Sequence, residues 1–354
     1  MLLGDLGADV VKVERPPHGD DTRAWGPPWS GDGESTYYLG VNRNKRSVAL
    51  DLGSDRGRAA ARALVERADV VVENFKPGSL DRLGLGYEAV RTANPGVVYA
   101  SITGFGRGAG ADLPGYDLLV QAVGGLMSVT GPAPGEPTKV GVALVDVVTG
   151  LHAAVAVLAA LRHRERTGQG QRVEVNLLSS LLSALVNQTS GYVVAGTVPG
   201  IIGNRHPSIA PYQVLPTADR SIVVAVGNDR QFRALCGVVG RPDLADDARF
   251  ATNPARVAAR EELAAVLSGE LVRRPADQWF AELNTVGVPC GPINDVAEAV
   301  RLADSLGLGP VVDSGGVPTV ADPMELSATP VQYRRRPPTV GADDDWLRAW
   351  LKQP

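Results

Sequence analysis

Two aspartates stand where a carboxylate needs a reason. Asp146 is the only charged side chain in VGVALVDVVTGLHAAVAVLAAL, residues 140–161, and it precedes a mostly apolar helical pattern that ends in the basic run RHRER. A carboxylate at a helix start has two uses. It can cap the helix, because Asp is favoured at that position and its charge suits the positive end of the helix dipole. It can also serve as a nucleophile or base held at a helix start. Asp117, in GYDLLVQA, occupies a second loop-to-helix junction after a glycine-rich loop. The two carboxylates can share a site for acid/base or acyl chemistry, and they can equally be two caps.

The remaining chemistry-bearing residues are more scattered. His18, His152, His163 and His206 have no second histidine at metal-ligand spacing, so no metal site is expected. His206, in GNRHPSIAPY, falls in a loop from which it can contact a substrate. Arg15, Arg43, Lys45, Arg46 and Arg82 lie near expected strand ends, where arginine in particular matches phosphate oxygens. The run GFGRGAGAD is not a dinucleotide fingerprint, since it lacks the strand-loop-helix context and an acidic residue about 20 positions on. The serines of NLLSSLLSAL lack the strained glycine turn of a nucleophile elbow and read as packing residues.

These residues need elements to hold them. The chain has 354 residues, enough for two domains at roughly 150 residues each. Hydrophobic residues make up 44% and charged residues 21%, as in ordinary globular proteins. Net charge is −4, with 35 basic and 39 acidic residues interspersed, so no nucleic-acid or anionic-membrane footprint stands out. Cys236 and Cys290 lie far apart, which argues against a disulfide framework and fits a reducing cytoplasm. The apolar runs, 140–161 included, read as too short or too mixed for a membrane span, and no signal peptide is visible.

From VVKVE through SVALDL, GRAAARALVERA, DVVVENF and YEAVRTANP to VVYASITGFG, strand-like runs alternate with helical ones. That alternation predicts crossovers and a parallel sheet, so residues 1 to about 105 read as a doubly wound α/β unit, with VENF and ITGF at its ligand edge. Gly168 and Gly170 should stop the long helix, RVEVNLL should be a strand, and a further apolar helix should run to about 196. Beyond TVPGIIGNRHPSIAPY, a hairpin turning at TADR and helices near 229–240, 256–270 and 275–286 predict a smaller α+β domain. The expected division is a large domain over 1–198, a small domain over 199–305, and a Pro-rich arm over 306–354 that returns to the large domain.

Taken together, GDLGADVVKVERP, NRNKRSVALDL, ADVVVENFKPGSLDRLGLGYE, SITGFG, GYDLLVQAVGGLM, TGQGQ and GVPCGPIND resemble the family III CoA-transferases, the CaiB/BaiF family, over essentially the whole chain. The resemblance implies a Rossmann-like large domain and an interlocked homodimer. It implies that Asp146 is the catalytic carboxylate, attacking an acyl-CoA thioester to give a mixed anhydride and then an aspartyl-CoA thioester. On this reading an apolar surround excludes water, while burial and the helix dipole pull the pKa of Asp146 in opposite directions. Coenzyme A is then a co-substrate rather than a bound cofactor, and the partners are acyl-CoA and a carboxylic acid.

Matched positions imply that Arg15, Leu50, Asn74, Phe75 and Arg82 line the CoA pocket, with Trp25 and Tyr116 near the acyl end and His206 and Ser208 in the region of the family's glycine-rich loop, which has no counterpart here. The related alpha-methylacyl-CoA racemases place a histidine where this chain has Tyr116, which removes a second base from the racemase alternative. NLLSS and HPSIAPYQVLPTADRSIVVAVGNDRQF most resemble the succinate-hydroxymethylglutarate group, implying succinyl-CoA as donor and a dicarboxylate such as glutarate or hydroxymethylglutarate as acceptor. The family carries a strand and loop upstream of LLGDLGADVVKVE. The expectation is therefore a misassigned start or a truncated chain, whose loss of a strand would impair CoA binding and leave a non-catalytic CoA-binding protein as a further alternative.

Overall fold

The computed structural model describes residues 1–352. They fall into two compact units: one holds Met1–Gly124, Val142–Thr189 and the chain from Leu302 on, the other Gly125–Gly141 with Ser190–Arg301. Placing all of 1–198 in one domain misses the segment 125–141. That segment enters through Gly125 in the left-handed region (φ 89°) and folds back on itself by the Thr138 N–H to Thr130 O bond of 2.8 Å. It then packs closely on the loop near residue 200, where a Cβ on Gly131 would lie 3.2 Å from Ile201 Cδ1.

In the larger unit β1 (Val10–Glu14) pairs in parallel with β2 (Lys45–Ala49), and β3 (Val70–Glu73), β4 (Val98–Thr103) and β5 (Gln171–Asn176) form a second parallel sheet in that order. The parallel pairing matches expectation, but the strands are divided between two sheets instead of forming one. Parallel neighbours need crossovers. The helix Tyr87–Ala93 lies in the crossover between β3 and β4, while Asp55–Arg67, capped by Ser54 whose hydroxyl accepts the Gly57 N–H at 3.0 Å, connects one sheet to the other.

Strand β4 carries the core on both faces because its side chains alternate. Val98 and Ala100 pack with Val157 and Ala160 of the helix Leu144–Thr167, while Tyr99 packs with Val90 and Val65 on the other side. The long helix stops at Gly168 (φ 74°), whose N–H bonds Arg164 O at 2.7 Å, as its sequence predicts. One expectation about this helix fails. By length and composition it can cross a membrane, with a mean hydropathy of 2.1 over an 18-residue stretch, because Asp146 and His152 are too few to dilute the valines, leucines and alanines around them. The apolar stretch that follows β5 is also broken, into Leu177–Ala184 and Asn187–Ala195, at Val186 with φ 40°.

The smaller unit has an antiparallel sheet, β6 (Tyr212–Leu215), β7 (Ile222–Ala225) and β8 (Cys290–Pro292) in that order, with the predicted hairpin between β6 and β7. The helices Asp229–Val238, Arg260–Leu271 and Ala276–Thr285 lay Phe232, Leu267 and Trp279 on it.

From Leu302 on, the chain belongs to the larger unit and contains the antiparallel pair β9 (Val311–Asp313) and β10 (Pro318–Val320) and the helix Asp344–Trp350. Its anchor is a buried ion pair. Arg43 Nη2 meets Asp5 Oδ2 at 2.8 Å with both side chains essentially inaccessible, and Arg43 Nη1 also donates to Thr319 Oγ1 and Val320 O. Asn44 Nδ2 donates to Gln332 O at 2.6 Å, and the carboxylates of Asp343 and Asp344 accept the N–H groups of Ser47 and Ala49 in β2 at 3.0 and 2.8 Å.

Candidate active site

A backbone crossing at the end of β4 starts the site. Gly104 and Gly115 pass so closely that a Cβ on either would lie 2.5 Å from the other's Cα. Only glycine fits such a crossing. The glycine-rich loop, which is not a dinucleotide fingerprint, therefore has a steric use: it returns the chain to the strand end and leads into the helix Asp117–Val123, with Tyr116 as its first flanking residue and 72% exposed.

The start of the helix Leu144–Thr167 answers whether Asp146 is a cap. Ala143 holds the cap position and makes no side-chain bond, while Asp146 is the third residue inside the helix. The capping acceptor comes from elsewhere in the chain. Asp117 Oδ1 accepts the N–H of Val145 at 2.8 Å and that of Asp146 at 3.3 Å, and Asp117 Oδ2 accepts from Gln121 Nε2 at 2.6 Å. Gln121 is fully buried. Asp117 thus performs the duty the sequence assigned to Asp146, and the Asp146 carboxylate is left for other chemistry.

Water reaches Asp146. Its surroundings still withdraw solvent, and this partial desolvation, followed by the charge of Asp117, raises its pKa above the ordinary aspartate range. The same pair marks a neighbour that the sequence did not single out. The Tyr37 phenol is raised by burial, then by the charges of Asp146 and Asp117. Trp25 meets Tyr37 edge to face at 5.2 Å, and both line a pocket of about 520 Å³ with Ala24, Pro27, Pro28 and Thr36.

Trp25 is held from beneath. Buried Glu14 accepts from Arg23 Nε at 2.9 Å, Arg23 Nη2 at 2.6 Å and Ser47 Oγ at 2.6 Å, which fixes the 3-10 turn Asp21–Ala24 leading into Trp25. Burial pushes the Glu14 carboxyl up, but these bonds and the Asp20 N–H outweigh it, and its pKa is lowered.

The positions matched to CoA sit at carboxyl ends of parallel strands. Arg15 follows β1 and is exposed; Leu50 follows β2 and its N–H bonds Glu14 O at 2.9 Å, so the two are brought together. Asn74 and Phe75 follow β3, both exposed, with the Phe75 N–H on Glu73 Oε2 at 2.9 Å, and Arg82 ends the helical turn Ser79–Arg82, bonded to Ser79 Oγ. Such strand ends are where open α/β sheets take ligands. His206 lies in the smaller unit, its Nδ1 accepting the Ser208 N–H at 3.1 Å and its ring 5.2 Å from that of Tyr212. No cluster of three metal-ligating side chains occurs among the described residues.

One expectation fails here. The apolar surround of Asp146 does not exclude water within one chain, because Val142, Val147 and Tyr116 are all exposed. Sequence reasoning also missed Gln121 and Tyr37. Gln121 was legible, standing four residues after Asp117 on the same helix face. Tyr37 gave no signal beyond the pair of tyrosines in STYYLG.

The mixed α/β unit presents an exposed carboxylate of raised pKa, an aromatic pocket, and basic and aromatic residues at strand ends, an arrangement that suits an enzyme handling acyl groups. The chain matches CoA-transferase family III over residues 1–344 and belongs to that family, whose members move CoA between an acyl-CoA and a carboxylic acid. It is 45% identical to a succinate–glutarate CoA-transferase of Agrobacterium fabrum, over 99% of this chain and 91% of that one, and 40% identical to the human succinyl-CoA:glutarate CoA-transferase, over 96% and 79%. A crystal structure of a CaiB/BaiF family protein from Brucella suis superposes with a TM-score of 0.89 at 44% identity, covering 99% of this chain and 93% of that one.

Proposed function

We propose that this enzyme transfers CoA from succinyl-CoA to a dicarboxylate such as glutarate, with Asp146 as the nucleophile. The observation that carries the assignment is the cap supplied by Asp117, which leaves Asp146 at a helix start with its carboxylate uncommitted and its pKa raised. An Asp146 oxygen attacks the thioester carbonyl, forming a C–O bond as the C–S bond breaks and CoA leaves as the thiolate. The thiolate then attacks the aspartyl carbonyl of the anhydride and releases the first acid, giving an aspartyl-CoA thioester. The incoming carboxylate repeats these steps in reverse.

Arg15, Leu50, Asn74, Phe75 and Arg82 hold the nucleotide and pantetheine, and Trp25, Tyr37 and Tyr116 border the acyl group. The dicarboxylate reading takes its support from relatives named for succinate and glutarate. A Rossmann-like large domain accords with the helices on both faces of β4. The uncovered apolar residues around Asp146 support a homodimer, because a second chain would supply the missing cover. Burial of the long helix in such a dimer, not in a bilayer, and a place in the cytoplasm complete the reading. Incubation with succinyl-CoA and a panel of carboxylic acids, followed by mass spectrometry, should yield glutaryl-CoA or another dicarboxyl-CoA, and Asp146→Ala should abolish exchange. Absence of any acyl exchange across the panel would refute it.

A further inference from the structure

Asp117 deepens the Proposed function reading and rests on it. We infer that Asp117 is a positioning residue that also drives the nucleophile toward its acylated form, by holding a fixed like charge against the Asp146 carboxylate.

Three observations converge on this. Asp117 Oδ1 is bonded to the backbone N–H of Asp146 itself, so the two carboxylates belong to residues joined by one hydrogen bond. Asp117 cannot swing away, because the Val145 N–H holds the same oxygen at 2.8 Å and buried Gln121 holds the other at 2.6 Å. The charge that acts on Asp146 is that of Asp117, and both carboxylates act on the Tyr37 phenol.

The consequence follows from charge counting along the reaction. Free Asp146 carries a negative charge opposite Asp117. In the mixed anhydride, and again in the aspartyl-CoA thioester, its acyl oxygen or sulfur linkage leaves that position neutral, and the departing charge sits on CoA thiolate or on the released acid. Repulsion with Asp117 is present only in the free enzyme, so Asp117 raises the free state relative to both covalent states. An aspartate that has gained basicity from a neighbouring charge is also the stronger nucleophile once ionised. The arrangement differs from a simple cap, for which a neutral acceptor would do as well.

Asp117→Asn removes the charge while its amide oxygen still accepts both N–H groups, but its Nδ2 then faces the buried Gln121 Nε2, so the Gln121 amide must turn over. Its melting temperature should fall by less than that of Asp117→Ala. The acidic limb of the kcat/KM profile should move to lower pH. The ratio of aspartyl-CoA thioester to free enzyme, read by intact-protein mass spectrometry with succinyl-CoA, should fall about fivefold, the scale of like-charge repulsion at a few ångströms in a water-accessible site. Asp117→Ala should add a loss of thermal stability. If Asp117→Asn matches wild type in both pH profile and thioester ratio, Asp117 is only a cap and the inference is overturned. Absence of an adduct at Asp146 in the wild-type enzyme would instead defeat the nucleophile assignment, a separate failure.

Discussion

Asp146 is costly to keep in the folded chain. Its pKa is raised by desolvation and by Asp117, so as pH climbs through the ordinary carboxyl range the unfolded chain loses its proton first. The folded state then binds more protons than the unfolded one, and stability falls with rising pH until the folded group ionises as well. The contribution is most favourable at acid pH and is lost at neutral pH. Asp146→Asn removes a charge the fold disfavours, so it should raise the melting temperature at pH 7 while eliminating exchange, and scanning calorimetry at pH 4 should show a smaller gain. An equal gain at both values would contradict the raised pKa. Asp146 was legible in the sequence as a lone charge in an apolar run. Which aspartate capped the helix was not, because the answer is a bond between residues 28 positions apart, and local propensity favours either one.

The Gly104–Gly115 crossing sets where the helix of Asp117 begins, and so where Asp117 can reach Val145 and Asp146. Gly104→Ala places a methyl against Gly115 Cα and must push the loop outward. It should cost about 1–3 kcal/mol of stability and reduce turnover more than a distant substitution of equal stability cost, measured by denaturant unfolding alongside exchange rate. Strand and helix identities were largely readable here, since alternation of short β-rich runs with helices demands parallel strands. The division into two sheets was not, because a period of two says that a segment is a strand and leaves its neighbour unnamed. The excursion 125–141 was hidden for a similar reason: its partner, the loop at Ile201, is remote in sequence and carries no pattern.

For the molecule as a whole, the long helix buries one face, through Val145, Thr149, Ala153, Val157 and Ala160, and leaves Val147, Leu151, Val155 and Leu158 in water. An apolar stripe of that extent is what the proposed homodimer would cover. Light scattering on the purified protein should give twice the mass of one chain, and Val155→Asp, at a position 66% exposed, should return it to the single-chain mass. A further consequence concerns synthesis on the ribosome. Asp5 and Arg43 emerge long before Thr319, Val320 and Gln332, which complete their buried polar site. At roughly 5–20 residues per second, the 277 residues from Asn44 through Val320 take roughly 14–55 s. For that interval the nascent chain carries a half-roofed ion pair that an unfinished core cannot satisfy. The larger unit therefore cannot close its buried polar site until the segment that carries Thr319, Val320 and Gln332 has been made.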